Sequence, residues 1–257
     1  MRDRLRVWTT MSLALIQILV PVLGSVGVLG RMQGAQFQLV KSPVVPAGYA
    51  FGIWGVLYAG CLVYAVEQAR PSRRRDPVLR RMGWPFALAL LVDAVWSALA
   101  QLEAPLAVLA LVILPGLFGA LLAAGRFYAS AAGSPQDRWR VGAPVAGLAG
   151  WLTAAALANV SVALPARWFV PGGQGAAVSI ALLSACGLVA GLALWRLRAP
   201  VAYLAAVAWA LVAVIVADVT RESAAGVAVA AGTWLAALVV LSAFAWNRGP
   251  APATGAA

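Results

Sequence analysis

The chain has 257 residues and a net charge of +11, yet 63% of it is hydrophobic and only 11% is charged. A soluble domain carries charge on about a quarter of its residues, so an ordinary soluble fold is excluded and the chain reads as a bilayer protein. The absence of histidine removes the commonest metal ligand and every imidazole-based catalytic arrangement, and Cys61 and Cys186 sit in apolar runs without disulfide-framework or zinc-site spacing.

Apolar runs long enough to cross roughly 30 Å of hydrocarbon predict eight transmembrane helices, at about 7–30, 49–69, 82–102, 105–127, 142–165, 176–196, 199–220 and 224–246. The expected fold is an all-α polytopic membrane protein. The opening "MRDRLRVWTTMSLALIQILV" begins as a signal peptide does, but its apolar stretch runs to about Gly30, past the length of a cleaved segment, and reads as the first span. Gly24, Gly27 and Gly30 form a small-residue stripe on it, and Gly187 and Gly191 make a GxxxG in the sixth span. Both stripes permit close helix approach, read here as packing within the chain. The Ala, Gly and Pro-rich segment 247–257 is expected to be disordered.

Charge sets the expected topology. With the N-terminus inside, the inner segments hold Arg2, Arg4, Arg6, Arg70, Arg73, Arg74, Arg75, Arg80, Arg81, Arg126, Arg138, Arg140, Arg196, Arg198 and Arg248, while the outer ones hold Arg31, Lys41, Arg167 and Arg221. This asymmetry predicts an N-in, C-in orientation, and it directs the positive charge at topology instead of nucleic acid. The cluster "RPSRRRDPVLRR" between the second and third spans reads first as an orientation signal and second as a site for anionic lipid.

The tryptophans divide by depth. Trp8, Trp84, Trp139, Trp168, Trp195 and Trp246 fall near span ends, where they suit the headgroup region, whereas Trp54, Trp96, Trp151, Trp209 and Trp234 lie inside spans and imply core packing or a pocket. In "PAGYAFGIWGVLYAG", residues 46–60, Phe51, Trp54 and Tyr58 are spaced three and four apart on one face of the second helix, with Tyr49 near the interface. At 1.5 Å per residue Tyr58 lies roughly 13 Å deep. The third helix carries Asp93 about halfway across, with Trp96 and Ala100 on the same face. An intramembrane carboxylate is costly and therefore a functional candidate, its alternative being a carboxyl that ties helices together through Asn159 or the Tyr58 hydroxyl. On the fifth helix Trp151, Thr153 and Asn159 share one broad face, since Asn159 lies roughly 80° around the axis from Trp151. Trp209 and Asp218 point in opposite directions along the seventh helix, and Asp218 with Arg221, like Glu67 with Arg70, reads as an ion pair at a span end. Three helices thus offer rings and a polar group at similar depth, a pattern that suits a flat, largely apolar ligand.

These motifs resemble the tryptophan-rich sensory protein (TspO/translocator) family. The second-helix segment above is similar to that family's proline-led F-x-x-W-x-x-x-Y, "LLVDAVWSALA" to its third-helix L-N-x-x-W-S, and "GWLTAAALANVSVAL" to its fifth-helix W-x-x-x-A-x-x-L-N, in the same order. The resemblance covers residues 1–165 and implies a five-helix bundle enclosing a site for porphyrins, haem-like tetrapyrroles, sterols or drug-like molecules. Residues 166–246 then supply three additional helices. Phe51, Trp54, Tyr58, Trp96 and Trp151 would stack on the ligand, with Asp93 and Asn159 as polar contacts; Asp93 departs from the family's Asn. A homodimer is a further expectation from the resemblance.

Three activities follow as expectations. The first is a binding protein for a flat hydrophobic molecule, acting as sensor, scavenger or carrier, with no required cofactor and no metal. The second is a proton-coupled secondary transporter using Asp93. The third is a porphyrin-modifying enzyme working through tryptophan radicals, ranked last because no catalytic residue pair is evident. Preference for Arg over Lys, and abundant Ala, point to a bacterial inner membrane.

Overall fold

The computed structural model describes residues 1–30, 37, 42–130, 134–169, 174–221 and 225–247. Among them are eight helices long and apolar enough to span a membrane: α1 (Arg2–Ser25), α2 (Ile53–Ala69, led by a 3-10 turn at Gly48–Gly52), α3 (Pro77–Gln101), α4 (Leu106–Tyr128), α5 (Pro135–Ala163), α6 (Gly175–Leu197), α7 (Val201–Arg221) and α8 (Ala225–Trp246). The eight expected spans are present, and the described residues hold no strand. The chain is a multi-pass integral membrane protein. In a bilayer every backbone polar group must be satisfied internally, which is why the apolar runs close into helices. The expected disordered segment beyond Asn247 lies outside the described residues, as do Arg31 and Lys41.

Several boundaries differ from expectation: α1 starts at Arg2 where 7 is expected and α5 at Pro135 where 142 is expected, and two further ends have a clear local cause. α1 stops at Ser25, short of Gly30, because Gly27 and Gly30 take left-handed backbone at φ +76° and +121°. Gly30 lies so close to the end of α3 that a Cβ there would sit 2.3 Å from the Gln101 carbonyl oxygen. α3 begins at Pro77, five residues before the expected 82, because Asp76 caps it: its carboxylate accepts from Val78 N at 2.8 Å and Leu79 N at 3.2 Å, with Pro77 in the first helical position. This draws Arg80 into the helix, where it pairs with Asp3 of α1.

α5 is the axis of the bundle. Its middle is almost wholly buried, and it packs against α2, α4, α6 and α7, while α1 lies across α2 and α3, and α8 covers α6 and α7 from the outside. Small residues make this possible. A Cβ on Gly150 would fall 2.5 Å from the Tyr203 carbonyl oxygen, so α5 and α7 touch backbone to backbone. The Thr153 and Tyr203 hydroxyls, 2.9 Å apart, reinforce that contact. The GxxxG pair packs within the chain as expected: Gly187 faces the Trp234 ring and Gly191 faces Leu238 and Leu241 of α8.

The arginine-rich end is tied by ion pairs. Glu67, buried at the end of α2, meets Arg70 at 3.1 Å, as expected, and also Arg140 at 3.5 Å and Arg73 at 3.7 Å. Arg73 in turn pairs with Asp76 and Asp137. Arg140 reaches Glu67 from a π-helical turn at Arg138–Gly142 that opens α5. At the other end the Asp218 carboxylate accepts from Ala228 N at 3.0 Å, satisfying an amide in the first turn of α8.

Gly150→Val should force α5 and α7 apart and cost about 1–3 kcal/mol. A lowered midpoint of thermal or dodecyl-sulfate unfolding in detergent is the expected result; an unchanged midpoint would contradict the close approach.

Candidate functional site

A cavity opens between α2, α3, α5 and α7, on the side of the bundle where α1 leads into α2. Its wall includes Phe51 and Trp54, Asp93 and Trp96, Trp151 and Asn159, and, from α7, Val207, Ala210, Leu211 and Val214. The helical stripe 207, 210/211, 214 presents one face of α7 to it. Phe37, Val44 and Pro46 of the α1–α2 connection close the end, with Ile113 of α4 and Cys186 of α6 at the sides. The empty space between these side chains, mouth included, is about 750 Å³, most of it too narrow for a water molecule. The chamber is therefore a slit between rings, a shape suited to a flat molecule.

Six of the seven expected site residues line this slit together. Tyr58 stands behind it, stacked on Trp54 at 5.2 Å and 24°. The rings form one continuous chain: Trp96 meets Phe37 at 5.9 Å, Phe37 meets Phe51 at 6.3 Å, Phe51 meets Trp151 at 6.4 Å and Trp151 meets Trp54 edge-on at 5.9 Å. Such tilted and edge-to-face contacts hold each ring in orientation, typically for about 0.5–1.5 kcal/mol per pair beyond burial. Phe37, flanked by polar Gln36 and Gln38, carries no sequence signal for this role. The α7 stripe, all small or aliphatic residues in an apolar run, likewise gave no sequence signal as a wall of the cavity.

The polar atoms behave differently from one another. Trp96 donates its indole N–H to Asn159 Oδ1 at 2.9 Å, and the Asn159 amide donates to the Ala155 carbonyl at 2.8 Å. Asn159 is thereby committed to Trp96, so it does not serve Asp93 as the expected helix tie. Asp93 is 2% exposed, and its Oδ2 has no hydrogen-bond partner among the described residues. The indole nitrogens of Trp54 and Trp151 are buried and unpartnered in the same sense. No group of three or more Cys, Asp or Glu side chains placed to hold a metal occurs among the described residues, and the chain has no histidine.

Of the remaining deep tryptophans, Trp209 and Trp234 stand apart from the cavity. Trp209 is half-exposed, packs edge-on against Tyr49 at 5.4 Å and donates to the Ala50 carbonyl at 3.0 Å. Two more bonds bind the same connection to α7: Ala47 N to the Ala213 carbonyl, and an Arg221 guanidinium N–H to the Val45 carbonyl, each 3.0 Å. The segment that closes the cavity is thus fastened to the helix that forms its far wall.

Trp96→Phe keeps a ring and removes the donor. In a double-mutant cycle with Asn159→Leu, unfolding in mixed micelles should reveal a coupling of about 0.6–1.7 kcal/mol; strictly additive effects would show that the bond contributes nothing.

No curated protein and no solved structure matches this chain. A family model described as TSPO-like protein matches residues 7–246, a span that takes in all of α6, α7 and α8 as well as α2 to α5 and most of α1. The chain belongs to the TSPO-like protein family.

Proposed function

We propose that this protein binds a flat, largely apolar small molecule within the membrane, as a sensor, scavenger or carrier. The observation that carries this reading is the unbroken chain of rings along an apolar slit that also holds a buried carboxyl and two unpartnered indole N–H groups. Family membership makes a tetrapyrrole the first ligand class to test. Because the slit is narrow, a macrocycle requires the rings of α2 and α5 to spread, whereas a smaller polycyclic ligand requires less movement. The arginine distribution supports an N-in, C-in orientation, and the composition supports a bacterial inner membrane as the setting. A homodimer is proposed by analogy with the family alone.

Titration of detergent-purified protein with protoporphyrin IX and with pyrene, followed by tryptophan emission, tests the reading. Saturable quenching by at least one is expected, with affinity falling about tenfold in Trp54→Ala as one stacking surface is lost. Linear, unsaturable quenching by both, or wild-type affinity in Trp54→Ala, would overturn it.

A second reading, proton-coupled transport of a small hydrophobic solute, rests on the buried carboxyl of Asp93. Solute flux in proteoliposomes should then depend on an imposed proton gradient and disappear in Asp93→Asn. Gradient-dependent flux that persists in that variant would remove the reading.

A further inference from the structure

The polar atoms of the cavity describe a ligand of one charge type. Trp96 and Asn159 satisfy one another, which leaves Asp93 Oδ2 as an unpartnered acceptor and Trp54 Nε1 and Trp151 Nε1 as unpartnered donors. Trp54, Trp151 and Asp93 all line the slit, and among the described residues no Arg or Lys does. None of the ion pairs among the described residues involves Asp93. A buried carboxylate without a cation costs several kcal/mol, and buried polar groups are as a rule paired. An anionic ligand in this slit would find no lining cation among the described residues to compensate its charge.

We infer that the ligand brings the missing cation: a flat apolar ring system bearing one basic nitrogen, a protonated amine or amidine whose N–H groups face Asp93, with acceptor atoms or a π-face turned to the Trp54 and Trp151 indoles. The inference rests on the cavity being a binding site for a flat apolar molecule and adds the charge of the ligand. Its chemistry is consistent on both counts. A cationic nitrogen held among tryptophan faces gains cation–π attraction, which strengthens when the site is dry, and the ion pair formed with Asp93 compensates both charges in one step. Carboxylated rings are disfavoured inside the slit, so a tetrapyrrole that binds here must keep its acid groups out of it.

Three probes sharing one ring test this on the full-length protein in a non-ionic detergent: 1-pyrenemethylamine, 1-pyrenemethanol and 1-pyrenecarboxylate, each titrated by energy transfer from tryptophan. The amine should bind at least tenfold tighter than the alcohol, with the carboxylate weakest. Asp93→Asn should bring the amine-to-alcohol ratio close to one. Trp54→Phe, which keeps a ring and loses the donor, should weaken binding severalfold while preserving that ratio, so a general loss of folding is distinguishable from loss of charge selection. Equal affinity for amine and alcohol in the wild type, or an amine preference that survives Asp93→Asn, overturns the inference while leaving the cavity as a binding site. Failure of all three to bind saturably overturns the inference together with the reading it rests on.

Discussion

How closely α5 can be approached decides the rest of this structure. Lipid tails are as apolar as the helices, so no hydrophobic force drives helices together, and association depends on contact distance and on the few polar bonds that cross between them. α5 meets that requirement by shedding side chains. Gly150 lets the Tyr203 backbone into contact, and Gly142 makes room for the Phe127 ring of α4. Asn159, nine residues beyond Gly150, lies about 180° around the axis from that contact. The helix therefore presents bare backbone to α7 at one level, and at another it presents the amide that fixes Trp96. The cavity opens past the Gly150–Tyr203 contact, along Trp151–Asn159 of α5 and Val207–Val214 of α7.

Polar groups inside such a bundle carry information because each one is costly. Thr153 and Tyr203 satisfy one another across α5 and α7, and Trp96 and Asn159 do so across α3 and α5. Both pairs fix the relative rotation of two helices. Asp93 Oδ2 and the Trp54 and Trp151 indole nitrogens have no such pairing among the described residues, yet they stand where the rings gather and where α2, α3 and α5 face a common space. Within the cavity wall the contrast separates two roles: Trp96 and Asn159 hold the frame, and Asp93, Trp54 and Trp151 keep unpaired polar atoms among the described residues.

Much of this was written in the sequence. The eight spans followed from apolar run length, and the grouping of Phe51, Trp54, Asp93, Trp96, Trp151 and Asn159 followed from helical spacing and depth along α2, α3 and α5. Three things were not legible. Tyr58 shares a helical face with Trp54, but spacing cannot tell a residue in the front row from one stacked behind it. The partner of Asn159 depended on the rotation of α3 against α5, which no local pattern encodes. The α1–α2 connection offered no periodicity, so Phe37, Val44 and Pro46 gave no sign that they close the cavity. The start of α3 was legible in Asp76-Pro77, a capping signal masked by the arginines around it.

The fastening of that connection has a consequence for how a ligand arrives. Three bonds hold it to α7, through Ala47, Ala50 and Val45. At about 1 kcal/mol net each, releasing them costs roughly 3 kcal/mol before the burial of Phe37, Val44 and Val45 is counted. Opening by release of those bonds would then involve on the order of one molecule in a hundred or fewer at any moment. The same helix forms the far wall of the cavity, through Val207, Leu211 and Val214. One helix thus both walls the cavity and anchors the segment that closes it.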